Sequence, residues 1–289
     1  MKNKINKKIV LSIVSALFMF NFSNAQSENE DLEKQLTSSI NRETRFTGDE
    51  KKVAMEYPDY FTVNESSIKV TLKEVKEEDS QIYQPPLVVV SQTPSKDVQG
   101  ALVAIEKIVN IASKLWDIIK DNAPVSNVDT KYATALPQGI TSSSQLSGWS
   151  KPRVYVYGFY AENLYGVKTI DVEYRVIFNY GASYSGKGKY LTGVSIVPTK
   201  VDVALGYRFD MQSNVPDSTV VNVGSTQNPL AALQLKLTWN ISTFLKDSKS
   251  TCVYYIQGDG YFNEIASPFK QAKGLSAEKI SQINPAGIF

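Results

Sequence analysis

Thr169-Ile170-Asp171-Val172-Glu173-Tyr174-Arg175-Val176-Ile177-Phe178 decides how the rest of the chain is read. Ile170, Val172, Tyr174, Val176 and Phe178 fall on one side of an extended chain, and Thr169, Asp171, Glu173 and Arg175 on the other, because successive side chains of a strand point to opposite faces. One apolar and one polar face is the mark of an antiparallel sheet with a core on one side and water on the other. The same alternation recurs in Val201-Val203-Leu205-Tyr207-Phe209-Met211, read as one strand, and in Leu233-Leu235-Leu237-Trp239-Ile241. Ser67 to Lys73 predicts another strand, with Ile68, Val70 and Leu72 on its apolar face. Further strands are expected at Val154–Tyr160, Tyr190–Val197, Thr251–Gln257 and the short run Leu87–Val90. Gly181 to Gly188 and Gln257-Gly258-Asp259-Gly260 supply turns, and Pro124 to Trp149 reads as a long polar connection.

One segment departs from period two. Val98, Leu102, Ile105, Val109, Ala112, Trp116 and Ile119 recur in steps of four and three, behind Thr93-Pro94-Ser95, which suits a helix start. This spacing predicts a long amphipathic helix over 95–122. The expected fold class is therefore mainly β: an antiparallel β-sandwich with one long amphipathic helix packed against it. The expected organisation is a signal peptide over 1–25, a polar N-terminal segment over 26–58, the sandwich domain with its helix over 59–268, and a C-terminal tail over 269–289.

The first 25 residues carry the export expectation. Lys2, Lys4, Lys7 and Lys8 precede an apolar run from Ile9 to Phe20, and Ser23-Asn24-Ala25 places small residues where a signal peptidase cuts. The run would cover only roughly 18 Å as a helix, short of a ~30 Å hydrocarbon layer. A secreted or periplasmic protein cleaved after Ala25, with no transmembrane anchor in the mature chain, is expected. Asn64-Glu65-Ser66 and Asn240-Ile241-Ser242 would be glycan acceptors in a eukaryotic secretory route.

Composition works by exclusion. Removing the four leader lysines leaves 27 of the 31 basic residues against 29 acidic ones, so the mature chain lacks the basic excess that nucleic-acid binding uses. The chain has no histidine, which removes Ser-His-Asp, Cys-His and His-based zinc chemistry. A single cysteine, Cys252, cannot form an internal disulfide, and its apolar neighbours predict a buried thiol. No cofactor and no metal site are expected.

Ligand-binding candidates are aromatic. Trp149, Tyr184 and Tyr190 lie in or beside expected loops, where packing explains an aromatic ring less readily; Tyr155 and Tyr157 line a strand, where core packing explains them more simply. The loop Gly181-Ala182-Ser183-Tyr184-Ser185-Gly186-Lys187-Gly188-Lys189 is no phosphate cradle, since Lys187 is followed by glycine and then by a strand, not by Ser or Thr and a helix. Asp171 with Glu173, and Asp202 with Asp210, share faces and keep a carboxylate-dependent secreted hydrolase open as an alternative.

The functional expectation is a secreted, non-enzymatic binding protein that recognises a glycan or a macromolecular partner through loops and aromatic side chains. A protein or lipid surface is also an expected kind of partner. The competing expectation is a membrane-active protein, similar in layout to some pore-forming toxins, whose helix over 98–121 would meet lipid through Ile105, Ile108, Leu115, Trp116 and Ile119.

Overall fold

The computed structural model describes residues 44–77, 103–126 and 131–267. The expected signal peptide, the segment 26–43, the strand at Leu87–Val90, the start of the expected helix and the tail 269–289 lie outside the described residues. The chain divides into two units, Met1–Glu56 and Tyr57–Phe289. In the first, a short helix α1 (Gly48–Glu56) begins at a reciprocal cap. Thr47 N donates to Glu50 Oε2 at 2.8 Å and Glu50 N donates to Thr47 Oγ1 at 3.2 Å, so two N–H groups that no helical carbonyl reaches are satisfied together.

Among the described residues, the second unit has thirteen strands in two antiparallel sheets. They are β1 (Val63–Glu77), β2 (Ala104–Val109), β3 (Leu115–Lys120), β4 (Ala123–Pro124), β5 (Ala133–Gln138), β6 (Arg153–Asn163), β7 (Lys168–Tyr180), β8 (Leu191–Val203), β9 (Arg208–Asn214), β10 (Val221–Asn222), β11 (Ala231–Ser242), β12 (Asp247–Gln257) and β13 (Phe262–Ala266). One sheet runs β1-β6-β7-β8-β5-β2 and the other β13-β12-β11-β9-β3-β4, with β10 paired to β11. The mainly β, antiparallel class read from the alternation is thus what the structure shows, with one short helix among the described residues.

The apolar faces of the two sheets share one core. Ile170, Val172, Tyr174, Val176 and Phe178 of β7 are all buried, and so are Leu233, Leu235, Leu237, Trp239 and Ile241 of β11. Phe159 of the first sheet meets Trp239 at 4.8 Å and Phe209 at 5.1 Å between ring centroids, and Tyr157 meets Tyr254 at 5.2 Å. Each such side chain contributes about 1.5–3 kcal/mol by leaving water. On the other face of the first sheet Val154, Val156 and Ile177 form a separate small cluster.

The long helix is not there. Over the described part of its span the chain makes β2, a turn, and β3. Asn110 organises that turn: its side-chain oxygen accepts from Ala112 N and Thr134 N, and its amide donates to Ser113 O. Register shifts interrupt both strands, between Ala104 and Ile108 and between Asp117 and Ile119, so Ile118 and Ile119 are both buried. A bulge places neighbouring residues on one face and converts period two into something close to the three-and-four spacing of a helix.

Two further expectations change. Val201 to Met211 is not one strand: β8 ends at Val203, the chain turns, and β9 begins at Arg208. Gly206 makes the turn with φ +80°, and a Cβ there would lie 2.2 Å from the Phe61 ring. Leu72 is exposed while Ile68 and Val70 are buried, and β1 slips register just beyond it. The connection Pro124 to Trp149 contains β5, and β13 follows the turn at Gln257–Gly260 without having been anticipated.

Candidate functional site

β6 enters the sheet at Arg153 and β7 leaves it at Tyr180, so both open on the same end of the first sheet. Loops from both sheets are stitched together there. Ser147 and Ser183 exchange backbone hydrogen bonds at 3.1 and 2.9 Å, and Ser150 N donates to Tyr180 O at 2.9 Å. Gly181 N donates to Gly258 O, and Gly258 N to Ala231 O, which ties the end of β7 to β11 and to the turn after β12. Tyr184 and Lys187 close a two-residue hairpin over Ser185 (φ 50°) and Gly186 (φ 76°), the left-handed pair that a tight hairpin turn requires.

Arg153 is the hub. Its guanidinium donates to Gly260 O at 2.6 Å, to the Tyr180 hydroxyl at 2.8 Å and to Glu77 Oε1 at 3.3 Å, and lies 4.7 Å from the Tyr180 ring centroid. Burial pulls against its charge, but Tyr180 and Glu77 outweigh it and its pKa moves up. Beside it Tyr155 stacks on Phe262 at 3.8 Å, with Phe178 and Tyr254 at 6.0 and 5.6 Å from the same Phe262 ring. Partial burial raises the Tyr155 pKa against the opposing pull of Arg153, so its hydroxyl stays protonated and can donate.

The five aromatic candidates therefore separate. Trp149, Tyr155 and Tyr184 are half-buried at this end, with Trp149 Nε1 donating to Ser143 O at 3.2 Å. Tyr157 and Tyr190 are core residues. Tyr190 donates its hydroxyl to Ile105 O, and burial, with Glu106 nearby, pushes its pKa up to about 12. Arg153, Tyr180 and Phe262 were not singled out from sequence. The partners of Arg153 include Gly260, 107 residues away, and no local pattern announces such a contact.

The other candidates are accounted for as well. Ile105 and Ile108 lie half-buried in β2, Trp116 and Ile119 are buried in β3, and Leu115 alone is exposed, so no helical stripe of these five exists. No helix among the described residues is long and apolar enough to cross a membrane, and among them no cluster of His, Cys, Asp or Glu suits a metal ion. Asp171 is held by Lys168 at 3.0 Å and Lys200 at 2.6 Å, and Glu173 by Lys73 at 3.0 Å. Hydrogen bonds from these lysines lower both carboxyl pKa values, Lys200 acting most on Asp171 and Lys73 on Glu173. A general acid needs the opposite shift, toward holding its proton at neutral pH.

Comparison with protein-family models, with curated proteins and with solved structures finds no match.

Proposed function

We propose that the two sheets form a sandwich that serves as a non-enzymatic binding protein, exported after cleavage following Ala25, and that it recognises a glycan through the loop end carrying Trp149, Tyr155, Tyr180 and Tyr184. The observation that carries this reading is the set of half-buried rings braced by Arg153 and by backbone bonds between four loops. Sugar rings present one apolar face and a rim of hydroxyls; half-exposed aromatic rings suit the face, and tyrosine hydroxyls and an arginine suit the rim. Bracing by both sheets fixes these groups before a ligand arrives, which lowers the ordering cost of binding.

Trp149 makes the test direct. Of the three tryptophans, Trp116 and Trp239 are buried and Trp149 is half-buried, so a ligand at this end changes the emission of one residue. A glycan array followed by fluorescence titration of the hits should give a saturable change that Trp149→Phe removes and Tyr184→Ala weakens. An array without hits, or binding that leaves Trp149 emission unmoved, would remove the reading.

A further inference from the structure

The end of the sheets away from Arg153 has a different surface. β6 spans eleven residues, so its two ends lie roughly 33 Å apart at ~3.3 Å per residue. Three turns lie at the far end: the hairpins 164–167 between β6 and β7 and 243–246 between β11 and β12, and the connection 204–207 that passes from β8 in one sheet to β9 in the other. Ala204 N donates to Thr169 O at 2.8 Å, which joins the first two. Ser242 pairs with Arg208, which joins the second and third. Tyr60 O accepts from both Asn163 Nδ2 and the Tyr207 hydroxyl and locks their bases together.

The tips are apolar and in solvent. Leu164 is 52%, Tyr165 58%, Val167 48% and Leu205 82% exposed, and Phe244 and Leu245 are partly exposed beside them. Such residues gathered at one end form a patch that calls for a partner. A second observation narrows the partner. Every backbone N–H of the first tip is satisfied within the protein: Leu164 N by Asp59 O and Thr62 O, Tyr165 N and Val167 N by Asn163 Oδ1, and Gly166 N by Asn163 O. Asn163 itself is buried. In water a loop can leave such groups to solvent, whereas a loop that enters hydrocarbon must pair them internally.

Charge narrows it further. Each tip is followed at once by a cation, in Val167-Lys168, Tyr207-Arg208 and Leu245-Lys246. Lys168 is paired with Asp171, and Lys246 with Glu65 at 2.7 Å. A collar carrying both signs just behind apolar tips complements headgroups that carry both signs, and it lacks the unbalanced positive field that an anionic surface would select.

We infer that the turn tips at Leu164–Val167 and Leu205 are a docking site for a zwitterionic lipid surface, with Leu164 in the outer acyl region and Tyr165 and Leu205 at the headgroup boundary. Tyrosine is favoured at that boundary because its ring is apolar and its hydroxyl polar. This surface is independent of the proposed glycan end, so the failure of one leaves the other standing.

The test places a reporter in the tip. Tyr165→Trp in the full chain, in a Trp149→Phe background, is mixed with vesicles of phosphatidylcholine alone and of phosphatidylcholine with phosphatidylglycerol. The expected result is a blue shift of emission with phosphatidylcholine alone, quenching by acyl-brominated phosphatidylcholine, and little loss at high salt. Because the reporter reads its own surroundings, the apolar run at residues 9–20 cannot imitate this signal. Leu164→Ser combined with Leu205→Ser should lower vesicle partitioning by about tenfold or more, as expected from losing two apolar contacts with lipid, while leaving the thermal midpoint unchanged. Emission unmoved by phosphatidylcholine overturns the inference, as does undiminished binding by the double variant, or binding that requires the anionic lipid and vanishes in salt.

Discussion

The hydroxyls of Tyr174 and Tyr254 lie 2.8 Å apart, one projecting from each sheet into the fully buried centre of the core. This hydrogen bond joins the two sheets through side chains at a place water does not reach. Either oxygen can donate, and neither has a solvent alternative. Removing one hydroxyl strands the other, and a stranded buried hydroxyl costs about 1–3 kcal/mol, whereas removing both leaves two phenylalanines of similar shape. Tyr174→Phe and Tyr254→Phe should each lower the urea midpoint, and the double variant should recover most of the loss. Additive losses in this double-mutant cycle would show that the pair is not coupled.

Alkaline pH should act on the same layer of tyrosines. Burial raises the pKa of Tyr157, Tyr174, Tyr207 and Tyr254, and takes Tyr190 to about 12. Below about pH 10 these hydroxyls are protonated in folded and unfolded chains alike, so nothing is lost. Above it the unfolded chain releases protons that the folded chain retains, and stability falls as pH climbs through 10 toward 12. Absorbance at the phenolate band should show the buried tyrosines ionising only together with loss of circular dichroism. Complete titration near pH 10 with the fold intact would contradict the burial.

Cys252 should be inert. It is buried, and burial raises its thiol pKa to about 11, with Ser267 giving only a weak opposing contact at 3.8 Å. The thiolate is the reactive species, so at pH 8 an aromatic disulfide reagent should fail to label the native protein and should label one thiol per chain in denaturant. Rapid labelling without denaturant would place the β11–β12 face in exchange with solvent.

Arg153→Lys tests the brace at the loop end. A lysine keeps the charge but loses the planar fork that reaches Gly260 O and the Tyr180 hydroxyl together. Hydrogen bonds to a charged donor contribute about 1.5–3 kcal/mol each, so the variant should unfold at lower denaturant and should speed amide exchange in the turn 257–261. Unchanged exchange in that turn would mean that the backbone bonds at Gly181 and Gly258 suffice.

How much of this was legible in sequence depends on whether a strand keeps its period. β11 pairs with β9 and β12 without a register shift, and the alternation of Leu233 to Ile241 in sequence is their burial in space. β2 and β3 fail the same reading because their partners lie far along the chain: β2 pairs with β5 and β3 with β9. Both ladders are irregular, and Ile105, Ile108, Val109, Ile118 and Ile119 are β-branched residues that suit a strand once those ladders are available. The local three-and-four spacing lost to tertiary pairing. In the candidate site, Trp149 and Tyr184 were legible because large rings stand out in polar loops. Arg153 and Phe262 were not, because only the closing of the two sheets makes them neighbours.

The strand order also sets a timetable. β1 waits for β6, β2 for β5, β3 for β9, and β5 for β8, so the early strands take their places only when chain made much later has arrived. Ribosomal synthesis runs from the amino end, and pairing between distant segments is slow to nucleate. β3 stays without its β9 ladder until Asn214 has emerged, although the strands of the other sheet are all made by Val203. One layer can therefore be laid down during synthesis, while the other keeps two early-made strands in waiting and closes only when the last third of the polypeptide arrives.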